Sequence, residues 1–161
     1  VGEMAFYLFC VGMSFINFHA TLFIFIIPFF FARIVMMLGN WTQHAFVDLN
    51  NMEDNTINCI NTKYNKACWN DGYHAVHHVR PALHYTEIPG EFLKNKEYFV
   101  KQKTLTFDGI HYLHIFIWLM TKRYDKLAKH VVNVDNMFAN EEEVIALMKE
   151  RTRKYTPPVS A

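Results

Sequence analysis

The sequence predicts an all-α protein built of integral membrane helices with a helical cytosolic cap, and three observations carry that prediction. Not one charged side chain lies between Glu3 and Arg33, whereas 15 of the 16 Lys and Arg residues lie from Lys63 onward. Hydrophobic residues fill 52% of the 161 positions, which excludes a disordered tail. The polar remainder is punctuated by helix caps and stops rather than by alternating strand patterns. A formal net charge of +1 supplies no electrostatic reason for a nucleic-acid partner.

Taken in order, Met4 to Ala32 is uncharged and would measure about 44 Å as one helix, more than a bilayer core. Asn17 and His19 interrupt it, so a turn is expected there, with a truncated first span before it and a full membrane helix over about 20–48, kinked at Pro28. These make up a transmembrane segment, residues 1–48. The opening Val1 and the start inside a span point to a fragment, and no basic n-region or cleavage site marks a signal peptide. A buried hairpin of a soluble protein is the alternative, disfavoured because buried helices rarely read as apolar on every face for so long. Residues 49–161 form the cap, placed in the cytosol by the positive-inside tendency.

Within the cap, Leu49 to Asn70 reads as a strandless polar loop. A short helix then starts near Asn70 or Asp71 and is stopped by Arg80-Pro81. Glu91 to Lys103 reads as a surface helix. An interfacial helix follows over about 107–130, with Tyr112 and Trp118 at headgroup depth and Lys122, Arg123, Lys126 and Lys129 facing anionic lipid. The C-terminal helix over about 140–155 starts on the Asn140/Glu143 pair and ends by Pro157. Cys10, Cys59 and Cys68 are odd in number and form no CxxC pair, so free thiols are expected; a Cys59/Cys68 zinc site is the alternative.

The sharpest chemical signal is His74-Ala-Val-His77-His78. With nine histidines in the chain, chance would place an HxxHH string only about 0.03 times. Positions i, i+3 and i+4 share a helical face, so His74, His77 and His78 are expected to converge on a metal ion of the iron, zinc, copper or nickel type. Asn40 and His44, four apart, can point toward the same ion. Asp48, Asp71 and Glu87 are candidates for orienting the imidazoles through their second nitrogens, or are ordinary cap and loop carboxylates. His84 reads as a supporting or packing group, His130 as solvated, and His111 and His114 as part of a membrane-surface face. Phe15, Phe23, Phe25, Phe29, Phe30 and Phe31 face lipid or core, with an acyl tunnel as the rival reading.

GNWTQHAFVD (Gly39 to Asp48) followed by NDGYHAVHHVRPALHYTEIP (Asn70 to Pro89) resembles the last membrane helix and final histidine box of the membrane fatty acid desaturase/hydroxylase superfamily. The resemblance spans about Ile24 to Pro89. It implies a fragment, the C-terminal half, of a four-transmembrane-helix fold whose cytosolic cap holds a histidine-ligated diiron centre. His44, His74, His77 and His78 would then be iron ligands, with Asn40 reaching iron through water. It further implies residence in the endoplasmic reticulum membrane, O2 as co-substrate and an acyl-lipid or acyl-CoA substrate. Electrons would come from a donor such as a b-type cytochrome or ferredoxin.

The sequence departs from that pattern in lacking the family's two earlier histidine boxes, so these 161 residues are not expected to assemble two irons or to act alone. A lipid hydroxylase of the same superfamily and a truncated, non-catalytic membrane protein are the alternatives to a desaturase. A mononuclear zinc hydrolase is disfavoured, because Ala75 stands where such a box carries its carboxylate base.

Overall fold

The computed structural model describes residues 2–48 and 56–154, and the chain divides into two units, Val1–Gly39 and Asn40–Ala161. In the first, helix α1 (Gly2–Thr21) contains one non-helical residue, Asn17, at φ −154 and ψ 98. The Asn17 Oδ1 accepts the Ala20 amide at 3.0 Å, and its carbonyl accepts the Thr21 hydroxyl at 2.8 Å. Asn17 therefore acts as the N-cap of a second helical leg, a role that suits a short amide side chain.

The chain reverses at this point. Phe6 meets Phe29 with ring centroids 4.6 Å apart, Phe9 meets Phe25 at 5.2 Å, and Glu3 pairs with Arg33, joining the two charges that bracket the apolar run. A π-helical turn, Leu22–Ile26, precedes α2 (Ile27–Gln43). Pro28 has no amide to donate and its ring crowds the carbonyl four residues back, and the wider turn directly upstream accommodates both.

Gly2–Gln43 is long and apolar enough to cross a membrane by length and composition. Phe15, Phe23, Phe30 and Phe31 are exposed on it, while Phe25 and Phe29 pack inside the hairpin. The second leg stops at Gln43 rather than near residue 48, because the chain turns over 44–46.

The second unit is mostly helical around a two-stranded parallel sheet. Strand β1 (Asn58–Ile60) pairs with β2 (Thr106–Asp108), Cys59 opposite Phe107. The expectation of a strandless loop is thus corrected for its described part, which holds β1 and α3 (Lys63–Ala67); residues 49–55 lie outside the described residues. Phe46, Ile57, Cys59, Leu105, Phe107 and Ile115 are buried in one core cluster. Ala75, Val76, Ile88, Phe92 and Phe99 form a second beneath the histidine helix α4 (His74–Val79).

Further corrections concern boundaries. Helix α4 begins at His74, and neither Asn70 nor Asp71 caps it. The expected surface helix is two short ones, α5 (Ile88–Lys94) and α6 (Lys96–Lys101), which bury Phe92 and Phe99. The expected interfacial helix is β2, α7 (Tyr112–Met120) and α8 (Tyr124–Ala128), parted by Lys122 in the left-handed region at φ 55. Tyr112 is buried rather than exposed for a headgroup, and Arg123 is held by Asp125 at 2.8 Å. Helix α9 (Glu141–Arg151) starts on the expected cap, Asn140 Oδ1 accepting the Glu143 amide at 2.9 Å. Its expected stop at Pro157 lies outside the described residues.

Candidate metal centre

Helix α4 is seated by backbone and amide contacts before any metal is considered. Asn58, fully buried on β1, accepts the Ala75 amide on its Oδ1 at 3.1 Å. Upstream, Asn65 Oδ1 accepts the Gly72 amide at 2.9 Å, Asn65 Nδ2 donates to the Cys59 carbonyl at 2.9 Å, and the Cys59 amide donates to the Gly72 carbonyl at 2.7 Å. Gly72 is required here for space: a Cβ would lie 2.1 Å from Asn65 Oδ1 and 2.4 Å from the Cys59 oxygen. The glycine of the Asn70-Asp71-Gly72 run thereby fixes where α4 starts.

His44 reaches the same place from the end of α2. The Gln43 side chain donates to Asp71 Oδ2 at 3.1 Å, Tyr64 donates to the same oxygen at 2.6 Å, and Tyr112 donates to the Asp71 carbonyl at 2.9 Å. Asp71 is therefore a girder between the residue before His44 and the loop before His74, rather than a group bonded to an imidazole. Its spacing three residues ahead of His74 marked it as nearby; nothing in the sequence joined it to Gln43, Tyr64 or Tyr112.

His44, His74 and His78 each offer a ring nitrogen within 4.8 Å of the others. Their ring centroids form a near-equilateral triangle of 5.2, 5.1 and 4.9 Å, and the Nε2 atoms of His74 and His78 are 3.2 Å apart. His74 Nδ1 is buried and meets no hydrogen-bond partner among the described residues. Burial, and then the neighbouring imidazoles of His78, His44 and His77, push His74 down to about 3, and burial, then His44 and His77, lower His78. A neutral imidazole, the form favoured for His74 and His78, is the form that ligates a transition metal.

His77 does not join the trio. It is exposed, 5.7 Å from His74 and 6.1 Å from His78 between centroids. Helical geometry explains this: at about 100° per residue, i+4 lies about 40° to one side of i and i+3 about 60° to the other. With His44 on the His78 side, His77 faces away. Asn40 is exposed on the last turn of α2, one turn before His44.

The remaining candidates have other partners. Asp48 lies 3.8 Å from Arg151, His84 bonds the Thr86 hydroxyl at 2.8 Å, and His111 caps α7 by accepting the Leu113 amide. His114 packs on His111 with centroids 4.5 Å apart, and His130 bonds the Asp108 carbonyl at 3.0 Å. Glu87 precedes α5 without a side-chain cap bond. All three cysteines are free.

Compared with known proteins, the chain matches a family model described as fatty acid desaturase over residues 3–109. No curated protein and no solved structure matches it.

Proposed function

The chain belongs to the fatty acid desaturase family, and from that premise we infer that it is the C-terminal part of a diiron, O2-dependent lipid desaturase that introduces a double bond into an acyl chain. The observation that carries the reading is the convergence of His44, His74 and His78 from two separate segments onto one point. The donor set fits an iron ion: His44, His74 and His78 each offer an imidazole nitrogen within 4.8 Å of the others.

In this reading His44, His74 and His78 hold one iron, with Asn40 acting through water. His77, on the next face of α4, together with ligands from sequence beyond these 161 residues, serves the second. Bound iron supplies the one chemistry that no side chain here possesses, activation of O2 to remove hydrogen from an unactivated methylene. The chain's own residues do the rest. Burial keeps His74 unprotonated and so available as a ligand. The Gln43–Asp71–Tyr64 bonds hold His44 against α4, and Asn58 fixes the start of that helix.

The substrate is an acyl-lipid or acyl-CoA, and electrons come from a donor such as a b-type cytochrome or ferredoxin. The apolar hairpin embeds the protein in the endoplasmic reticulum membrane, with the histidines on the cytosolic face. A lipid hydroxylase would use the same ligands. A non-catalytic membrane protein is favoured by one observation, that only three imidazoles converge among the described residues.

Metal analysis of the detergent-purified 161-residue chain and of any longer parent protein tests the reading. It expects two irons in the longer protein, fewer than one in the 161-residue chain, and desaturation only by the former. Iron content unchanged by His44→Ala or His78→Ala would overturn the ligand assignment. A longer protein that binds no iron would leave the non-catalytic reading.

A further inference from the structure

Beside the histidine helix, lined by His77 and by the turn before it, lies a cavity of about 460 Å³. Four aromatic residues line it, Tyr64, Trp69, Tyr73 and Tyr85, together with His77 and Asp71; no lysine or arginine does. The nearest basic residue along α4, Arg80, is held by Glu91 at 3.0 Å. Trp69 is 70% exposed, unusual for the largest apolar side chain. It is held out by a turn in which both Trp69 (φ 46) and Asn70 (φ 60) are left-handed, a conformation costly for residues other than glycine.

That turn is tied down on every side. The Asn70 amide donates to the Asn65 carbonyl at 3.0 Å, the Asp71 amide to the Cys68 carbonyl at 2.9 Å, and the Asn70 side chain to the Tyr85 carbonyl at 2.9 Å. The last bond joins two of the aromatic walls. The cavity is thus preorganised, and a lining of aromatic residues with a single acidic one favours a cation with an apolar skin. A phosphate would find no basic partner there, and a strongly hydrated metal ion would find too few oxygens.

We propose that this cavity binds a trialkylammonium group, the chemistry shared by free choline and by the headgroup of a choline phospholipid. The site is distinct from the point where His44, His74 and His78 converge, since none of those three lines it; of the histidines assigned to iron it shares only His77. Tyr and Trp faces take the positive methyl shell, and Asp71, anchored by Tyr64 and Gln43, supplies the compensating charge.

The test is calorimetric titration of the full chain in a maltoside detergent with choline, with its neutral carbon isostere, and with a short-chain phosphatidylcholine. Saturable choline binding is expected, about tenfold tighter than the isostere and about tenfold weakened in Trp69→Leu, which keeps apolar area but removes the π face. Tyr85→Leu should weaken it similarly, with the fold of both variants verified by circular dichroism. A phosphatidylcholine that binds more tightly than choline identifies the lipid headgroup as the source, and one that binds only as weakly or not at all identifies the free cation.

Binding should survive a metal chelator, which separates this result from the fate of the iron assignment. No saturable choline binding, equal binding of the isostere, or unchanged affinity in both folded variants would overturn the proposal.

Discussion

Replacing Gly72 by alanine should disrupt the proposed metal site without touching His44, His74 or His78. The new methyl would sit 2.1 Å from Asn65 Oδ1 and 2.4 Å from the Cys59 carbonyl oxygen, neither of them the end of a long flexible side chain. Relief requires Asn65 or β1 to move, which breaks some of three buried bonds, Gly72 to Asn65, Asn65 to Cys59 and Cys59 to Gly72. At about 1 kcal/mol per bond, plus about 1–3 kcal/mol for overpacking, the loss is about 2–6 kcal/mol. Because Asp71 precedes Gly72 and His74 follows it by two residues, the displacement reaches the imidazoles. Thermal melting in detergent and ferrous or cobalt ion titration would show a lower midpoint and weakened binding. A variant that melts and binds metal like the parent would refute both the steric account and the claim that this turn positions α4.

Three other perturbations bear on the same structure. His78→Ala should weaken metal binding by at least about a hundredfold and His77→Ala by less than about tenfold in the 161-residue chain, read by the same titration; equal losses would mean that the trio is not the site. Glu91 is held below the usual carboxylate range by its bond from the Arg80 guanidinium and then by Asn95. Its lowered value in the fold means that its stabilising effect is fully present above the ordinary glutamate value, about 4.3, and is lost as pH falls through the folded value. Glu91→Gln should therefore melt below the parent at neutral pH and converge with it in acid, and a constant gap across that range would contradict the pairing. Asn17→Leu removes the cap of the second hairpin leg and should destabilise it by about 1 kcal/mol, seen as faster hydrogen exchange at the Ala20 amide; unchanged exchange there would remove Asn17 from that role.

The hairpin turn was legible because a polar amide in an apolar run has few uses other than capping, and Asn17 is a cap. The Asn140 start of α9 was legible for the same reason. The sheet was not, since each strand is three residues long and buried, and so short a segment shows no alternation. Tyr112 was misplaced because an aromatic beside apolar residues reads alike whether it faces headgroups or core. Its hydroxyl bond to the Asp71 carbonyl, 41 residues away, decides between them.

For the histidines, chain-local information determined which residue types lie within a helical turn of one another, and hence that a metal-competent cluster exists around His74 and His78. It determined equally that the first unit is apolar on all faces, because composition is enough to set the solvent a segment prefers. Only the tertiary structure decided which side of α4 the cluster occupies. The angle from His74 to His77 and that to His78 are both acceptable to a helix, and the choice between them is made by where α2 delivers His44, a contact set by Gln43, Asp71 and Tyr64. Long-range hydrogen bonds of this kind depend on relative placement in space, which no spacing along the chain encodes.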